Sequence, residues 1–447
     1  MQLYTKIAII TLLIGALAIT PTLSTPTSTV IIANQGKISA IFEVNAKSGS
    51  PEDIQAAVDV AATMGGGNVY VPEGDFVFNP EDAPSGKGVQ IPGGVNVFGA
   101  GKDKTILRQT RQPKTTMFMF TVDGRNGLPS RISNFTFIGF VVTEEYSGGV
   151  SMYNVKNFRV DNCRFINMGW FGVSTSVYTS AASMEKGEYQ YYWNWGVIDH
   201  CTFDNPYKDE ITGSWAWGYG VGVFGGAGGT DKNAWLYNVS DILGRWDIET
   251  NPIRCALYQW NATTGKYDLV DPYGGKYFRW LVYIEDCTFS RCRHAIASNG
   301  GAWYVARHNT FKDNRPVGWP NVDVHGAMGG QGWWGGRGAE VYNNIINETA
   351  YTTGGWGIDY RGGGGVVFNN TIINCQYGVS MRYEGSGTNE VCWVNDLWIW
   401  NNNFLNVATQ IYDPYNLYDE GVHYFLRQRP YYTPYTYPHP STQKTTP

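Results

Sequence analysis

Charge is scarce in this chain. Asp, Glu, Lys and Arg make up 16% of its 447 residues, and the 33 Lys and Arg are scattered rather than grouped. With a net charge of −5, no basic surface of the kind nucleic acids require is expected. Long apolar runs are equally rare. The one near the start, Ile7 to Ile19 behind Lys6 and ahead of Pro21, is too short to span a bilayer and has the layout of a secretory signal over residues 1–30, cleaved within about residues 18–33. No later segment reaches transmembrane length, so no stable membrane insertion is expected, and the mature protein is expected to be secreted or at the cell surface. No His/Cys set has zinc-ligand spacing, no Asp-rich calcium loop occurs, and no Lys-Ser/Thr follows Gly362-Gly363-Gly364-Gly365 to make a phosphate loop. No cofactor is therefore implied. Ca2+ is the one ion that paired carboxylates here would suit, and the neighbouring arginines argue against it.

What is abundant is Gly, at 55 residues, and aromatic side chains, with 17 Trp and 30 Tyr. Turns consume the first, and the second exceed what a core needs, so rings are expected against sugar rings or clamped onto a scaffold. A polar ladder position followed two places later by Phe or Ile returns along the chain, as Asp161-Asn162-Cys163-Arg164-Phe165, Asp199-His200-Cys201-Thr202-Phe203, Glu285-Asp286-Cys287-Thr288-Phe289, Arg307-His308-Asn309-Thr310-Phe311, Tyr342-Asn343-Asn344-Ile345-Ile346, Phe368-Asn369-Asn370-Thr371-Ile372 and Trp400-Asn401-Asn402-Asn403-Phe404. Each copy reads as one rung of a stacked β-structure that cannot bury its apolar face alone. Cys163, Cys201 and Cys287 share a rung position and read as stacked buried thiols, His308 as a structural member of the Asn ladder, and Cys375 and Cys392, flanking a loop, as the pair to bond. Sequons stand at Asn134, Asn238, Asn261, Asn347 and Asn369.

Apolar Ile54, Ala57, Val58 and Ala61 predict an amphipathic helix over Glu52 to Met64, ended by Gly65-Gly66-Gly67 and followed by a strand from Asn68 to Val71. A helix there would cover the open edge of the first coil. The stretch from Ile54 to Gly74, followed by Gly94-Val95-Asn96-Val97-Phe98-Gly99-Ala100-Gly101 and the later rungs, resembles the pectate-lyase-like, right-handed parallel β-helix superfamily over roughly residues 40–410. The resemblance implies an all-β right-handed solenoid with an N-terminal capping helix and long aromatic-rich loops at about Tyr178 to Tyr192 and Gly225 to Arg279. The β-helix is expected over 31–415 and a Pro/Tyr-rich tail over 416–447, extended and lying on the body. The superfamily holds lyases, hydrolases, epimerases, tailspikes and adhesins, so it implies a fold rather than one reaction.

Each rung is followed by a second short strand, and aligning Val173, Val221, Ile296, Val322, Ile358 and Val379 as inward leaves two outward columns. One runs Ser174, Gly222, Ala297, Asp323, Asp359, Ser380, and the other Ser176, Phe224, Asn299, His325, Arg361, Arg382. Carboxylates of Asp323 and Asp359 on adjacent coils, about 5 Å apart, would split their pKa values unless a cation intervened. Asp323, Asp359, His325 and Arg361 are thus the candidate catalytic set. Arg382, Arg337, Glu340, Trp333 and Trp334 are the residues expected to bind substrate beside it. Solvated ion pairing is the competing reading of the same columns.

Two function classes fit. One is a lyase or glycoside hydrolase acting on an extended, acidic polysaccharide. In a lyase an Arg would neutralise a uronate and His325 or an Arg would take the C5 proton; in a hydrolase Asp323 and Asp359 would be acid and base. The other is a non-catalytic carbohydrate-binding or structural surface protein. Neither oligomeric state nor sugar identity follows from the sequence.

Overall fold

The computed structural model describes residues 27–33, 37–140, 147–176, 194–205, 218–224, 257–261, 266–271, 281–299, 302–314, 319–326, 338–348, 355–383, 394–430 and 432–443. Most of both expected long loops, Cys392, and the trio Trp333, Trp334 and Arg337 lie outside the described residues.

Three long sheets run the length of the molecule. The first has thirteen strands, from Thr27–Ala33 through Gly67–Val71 and Lys156–Asp161 to Tyr424–Phe425. The second and third have ten each, ending at Asn403–Leu405 and Thr409–Tyr412. Every pairing within the coils is parallel; the leading pair, Thr27–Ala33 with Lys37–Asn45, and a separate two-stranded sheet, Leu257–Asn261 with Lys266–Asp271, are antiparallel. The chain visits first, second and third sheet in turn and then climbs one coil, which makes a right-handed parallel β-helix. The strand Thr27–Ala33 crosses the boundary expected at residue 30.

Several coils turn twice through the left-handed region. Asn162 and Asn167, Asn369 and Asn374, and Asn401 and Asn406 hold φ between 50° and 57°. Asn tolerates that conformation because its short amide bonds locally. Between these turns a three-residue strand points one apolar side chain inward. The result is a ring stack, Phe137–Phe165–Phe203–Phe289–Phe311, with centroids 5.1, 4.9, 4.8 and 5.1 Å apart.

The neighbouring column starts as buried thiols Cys163, Cys201 and Cys287 and continues as Asn309, Asn344, Asn370 and Asn402. Each amide Nδ2 in the Asn run donates to the next Oδ1, at 3.1, 2.9 and 2.9 Å. His308 stands one place before this ladder, in the left-handed turn at φ 56°, and its ring stacks on Tyr437 at 3.6 Å. As expected, His308 is a structural rung: its Nε2 accepts from Asn343 Nδ2 of the next coil at 3.2 Å, in a column beside the one that Asn309 occupies. Cys375 is buried and its Sγ donates to the Ile373 carbonyl at 3.6 Å, while Cys392, its expected partner, lies outside the described residues.

The helix runs Pro51–Thr63, capped by Ser50 Oγ accepting from Asp53 N–H. Ile54, Ala57, Val58 and Ala61 enter the core. At the other end, the chain after Tyr424–Phe425 turns back along the outer face of the first sheet. Tyr432 donates to Glu340 at 2.8 Å, the Tyr435 and Thr436 carbonyls accept from Arg307 at 2.7 and 2.9 Å, and His439 N–H donates to Glu285 at 2.9 Å.

Candidate functional site

Strand alternation on the third sheet delivers both outward columns. Asp323 pairs in register with Asp359, and Asp359 with Ser380. Asp323 lies on Pro320–Val324 and Asp359 on Trp356–Tyr360, while Arg361 and Arg382 leave the ends of their strands. A cation does intervene. Asp323 accepts from Arg361 through Nε at 2.8 Å and through Nη2, and the same Nε lies 3.9 Å from Asp359. Asp359 accepts from Arg382 Nε at 2.8 Å, from its Nη2, and from the Ser380 hydroxyl. Each acid therefore grips the arginine of the following coil, in the planar geometry guanidinium groups favour.

Burial orders these groups in depth. Asp323 and Asp359 are fully buried, Arg361 nearly so, and what reaches solvent is Arg382, His325 and Trp356. The Arg382 guanidinium lies over the Trp356 ring at 4.2 Å. Burial pushes the Asp323 carboxyl up, but Arg361, His294 and His325 outweigh it and hold the group well below the usual carboxylate range. For Asp359 burial wins over Arg382 and Arg361, and its pKa is raised. The two acids thus separate in proton affinity for reasons of environment. With their oxygens committed to arginines, they are suited to holding guanidinium groups rather than to trading protons with a substrate.

His294 belongs to the cluster, although only its place ahead of the strand, in Arg293-His294-Ala295-Ile296, signals it in the sequence. Its Nδ1 donates to the Pro320 carbonyl at 2.8 Å, and Nε2 lies 3.7 Å from Asp323. Burial brings the imidazole down to about 3 against the pull of Asp323. Tyr219 stacks on one side and Trp319 packs edge-on.

Glu340 does not join this cluster. It sits on Gly338–Tyr342 in the first sheet, buried beneath the tail and bonded to Tyr432. Its number places it near Arg361, but the coil carries it to a different face. Among the described residues no group of three metal-binding side chains occurs.

No family model matches the chain. One stretch of 55 residues is 38% identical to mannuronan C5-epimerase AlgE3 of Azotobacter vinelandii, covering 12% of this chain and 3% of that protein's length. Among solved structures, the A-module of mannuronan C-5 epimerase AlgE4 from the same organism matches 86% of this chain and 100% of its own, at 15% identity and TM-score 0.32. A mannuronic-acid-specific polysaccharide lyase of family 6 from the human gut microbiota matches 82% of this chain and 76% of its own, at 14% identity and TM-score 0.45. On its own three continuous parallel sheets, the chain has the fold of a right-handed parallel β-helix.

Proposed function

We propose that this protein acts on an acidic polysaccharide laid along the outer face of the third sheet. The observation that carries the reading is the Asp–Arg ladder on adjacent coils, which presents Arg382, with His325 and Trp356, at the surface. Adjacent coils are about 4.8 Å apart, close to the length of one pyranose in an extended chain, so successive sugars meet successive coils. Arg382 neutralises a uronate carboxylate and lowers the cost of removing the proton at C5. His325 takes that proton, the C5–H electrons form the C4=C5 double bond, and the C4–O bond breaks with its electrons on the leaving sugar oxygen, which is then protonated. Without the C4–O cleavage, returning a proton to the opposite face of C5 inverts that centre. Hydrolysis by Asp323 and Asp359 is less well supported, because each would first have to release its arginine.

A second reading is a binding or structural rod. It is favoured by the same motif on the first sheet, where Arg131 bonds Asp161 at 2.7 Å and Arg159 bonds Asp199 at 2.8 Å on buried carboxylates. The test is incubation of the mature protein with alginate, pectate, glycosaminoglycans and neutral glucans, following reducing ends, ultraviolet absorbance of unsaturated uronides, and C5 configuration by proton NMR. Absorbance with reducing ends supports elimination, inverted C5 alone supports epimerisation, and reducing ends alone support hydrolysis. Silence in all three, on a folded protein that still binds one of the polymers, overturns the catalytic reading.

A further inference from the structure

The two ends of the solenoid are finished differently. At the N-terminal end the helix Pro51–Thr63 closes the core, and its Gln55 reaches the first strand of the third sheet, Val89–Pro92. Gln55 Nε2 donates to the Gln90 carbonyl at 3.0 Å, and Gln55 Oε1 accepts from Gln90 N–H at 2.8 Å. The free edge of that strand is thereby satisfied by a side chain.

At the C-terminal end the last strands of the second and third sheets, Asn403–Leu405 and Thr409–Tyr412, each have a single neighbour. Their turn bonds run back to the preceding coil, as in Asn403 N–H to the Asn370 carbonyl and Thr409 N–H to the Gln376 carbonyl. Among the described residues no side chain bonds the backbone of these two strands as Gln55 does at the other end. Leu417, Tyr418 and Tyr424 fold over the core beneath, but the chain then leaves across the first sheet, as far as Ser441 on Asn157. A strand edge leaves alternate N–H and C=O groups pointing away from the body.

Natural edges are blunted by charge, Pro, a bulge or a covering helix. From Trp400 to Tyr412 the sequence reads Trp-Asn-Asn-Asn-Phe-Leu-Asn-Val-Ala-Thr-Gln-Ile-Tyr, with no charge and no Pro. Exposed apolar side chains gather over the same end, with Leu405 45%, Val422 62% and Leu426 45% exposed. The inward Phe404, Val407 and Ile411 of this coil are only partly buried.

We propose that this end is an interface for a second copy of the chain, docked end to end about a two-fold axis. A two-fold axis places each terminal strand antiparallel to a copy edge of the same length, so backbone groups pair without a register penalty. The strand edges themselves are uncharged from Trp400 to Tyr412, which supports a copy that meets them without like-charge repulsion, while Asp419, Glu420 and Arg427 are exposed in the segment that follows. The proposal is independent of the polysaccharide reading.

The test is the mass and shape of the full chain in solution, by sedimentation and small-angle scattering over a concentration series. The expected result is a dimer of nearly doubled length. Lysines introduced together as L405K and Q410K should weaken association by more than about tenfold. The single change I345K, at an exposed apolar site away from this end, should leave it intact. A monomer throughout, or a dimer indifferent to the double variant, overturns the proposal. If the double variant fails to fold, hydrogen exchange of the unaltered protein decides. Protection of amides 403–412 must rise with concentration, and a dimer without it overturns the proposal as well.

Discussion

Asp323 and Arg361, on successive coils of the third sheet, form a two-point ion pair with the carboxylate fully buried and the guanidinium nearly so. Removing one member of such a pair strands the other charge. Asp323→Asn is expected to destabilise the protein by about 3 kcal/mol, softened by Asp359 lying 3.9 Å from the same guanidinium. Urea unfolding of the variant measures it. A loss under about 0.5 kcal/mol, within the range of surface pairs, would show the pair to be open to water.

The surface groups predict a different pattern. Arg382→Gln and His325→Gln are expected to lower turnover on an acidic polymer by at least about tenfold, in proportion to a lost charge-assisted contact. The Arg382 change should raise KM and salt sensitivity more than the His325 change, which should act on kcat. Equal activity in both variants would remove this face from the reaction.

The Asn ladder should cost most in its middle. Asn344 Oδ1 accepts from Asn309 N–H at 2.9 Å, and its Nδ2 donates to the Ala306 carbonyl at 2.9 Å. Asn344→Ala leaves both backbone groups buried and unpaired, for a loss of about 2 to 4 kcal/mol. Asn402, in the half-open last coil, should lose less than half of that on the same substitution, because water can replace it. Thermal unfolding of the two variants side by side checks the ranking.

Stability should fall as pH rises above the ordinary carboxyl range. Burial raises Glu348 to about 8, with Asn321 Nδ2 donating to one oxygen at 2.8 Å. A carboxyl raised in the folded state keeps a proton that the unfolded chain, with a value of about 4.3, has released. Between those values the native state binds more protons, so its stability drops with rising pH. Glu348→Gln should flatten that slope by up to about 1.4 kcal/mol per pH unit. Denaturation at pH 5 and pH 9 reads it, and an unchanged slope would mean Glu348 is ionised when folded. Glu340, raised to about 7 by burial, contributes in the same direction below that pH.

Thiol chemistry offers a mass-spectrometric check. Cys163, Cys201, Cys287, Cys292 and Cys375 are all buried, and burial raises the Cys375 thiol well above its usual value. All five are expected to resist alkylation when native and to react once denatured without reductant. A Cys375–Cys392 crosslinked peptide would contradict this.

The sequence carried the solenoid because its signals are local and periodic. The Asn-x-Phe and Asn-x-Ile rungs, the paired left-handed turns and the inward Val and Ile positions repeat in step with the coil, and strand alternation then puts Asp323 beside Asp359 and Asp359 beside Ser380. Helix Pro51–Thr63 was equally legible, since its apolar spacing and terminal glycines lie within one short stretch. Tertiary structure decided what no periodicity encodes. Which face a loop or tail covers depends on contacts across more than a hundred residues, as between Glu285 and His439, and this is why Glu340 left the candidate site and His294 entered it. Depth below the surface also turned two outward acids into buried ones held by arginine, because a column's direction is fixed by the strand while its exposure is fixed by everything packed over it.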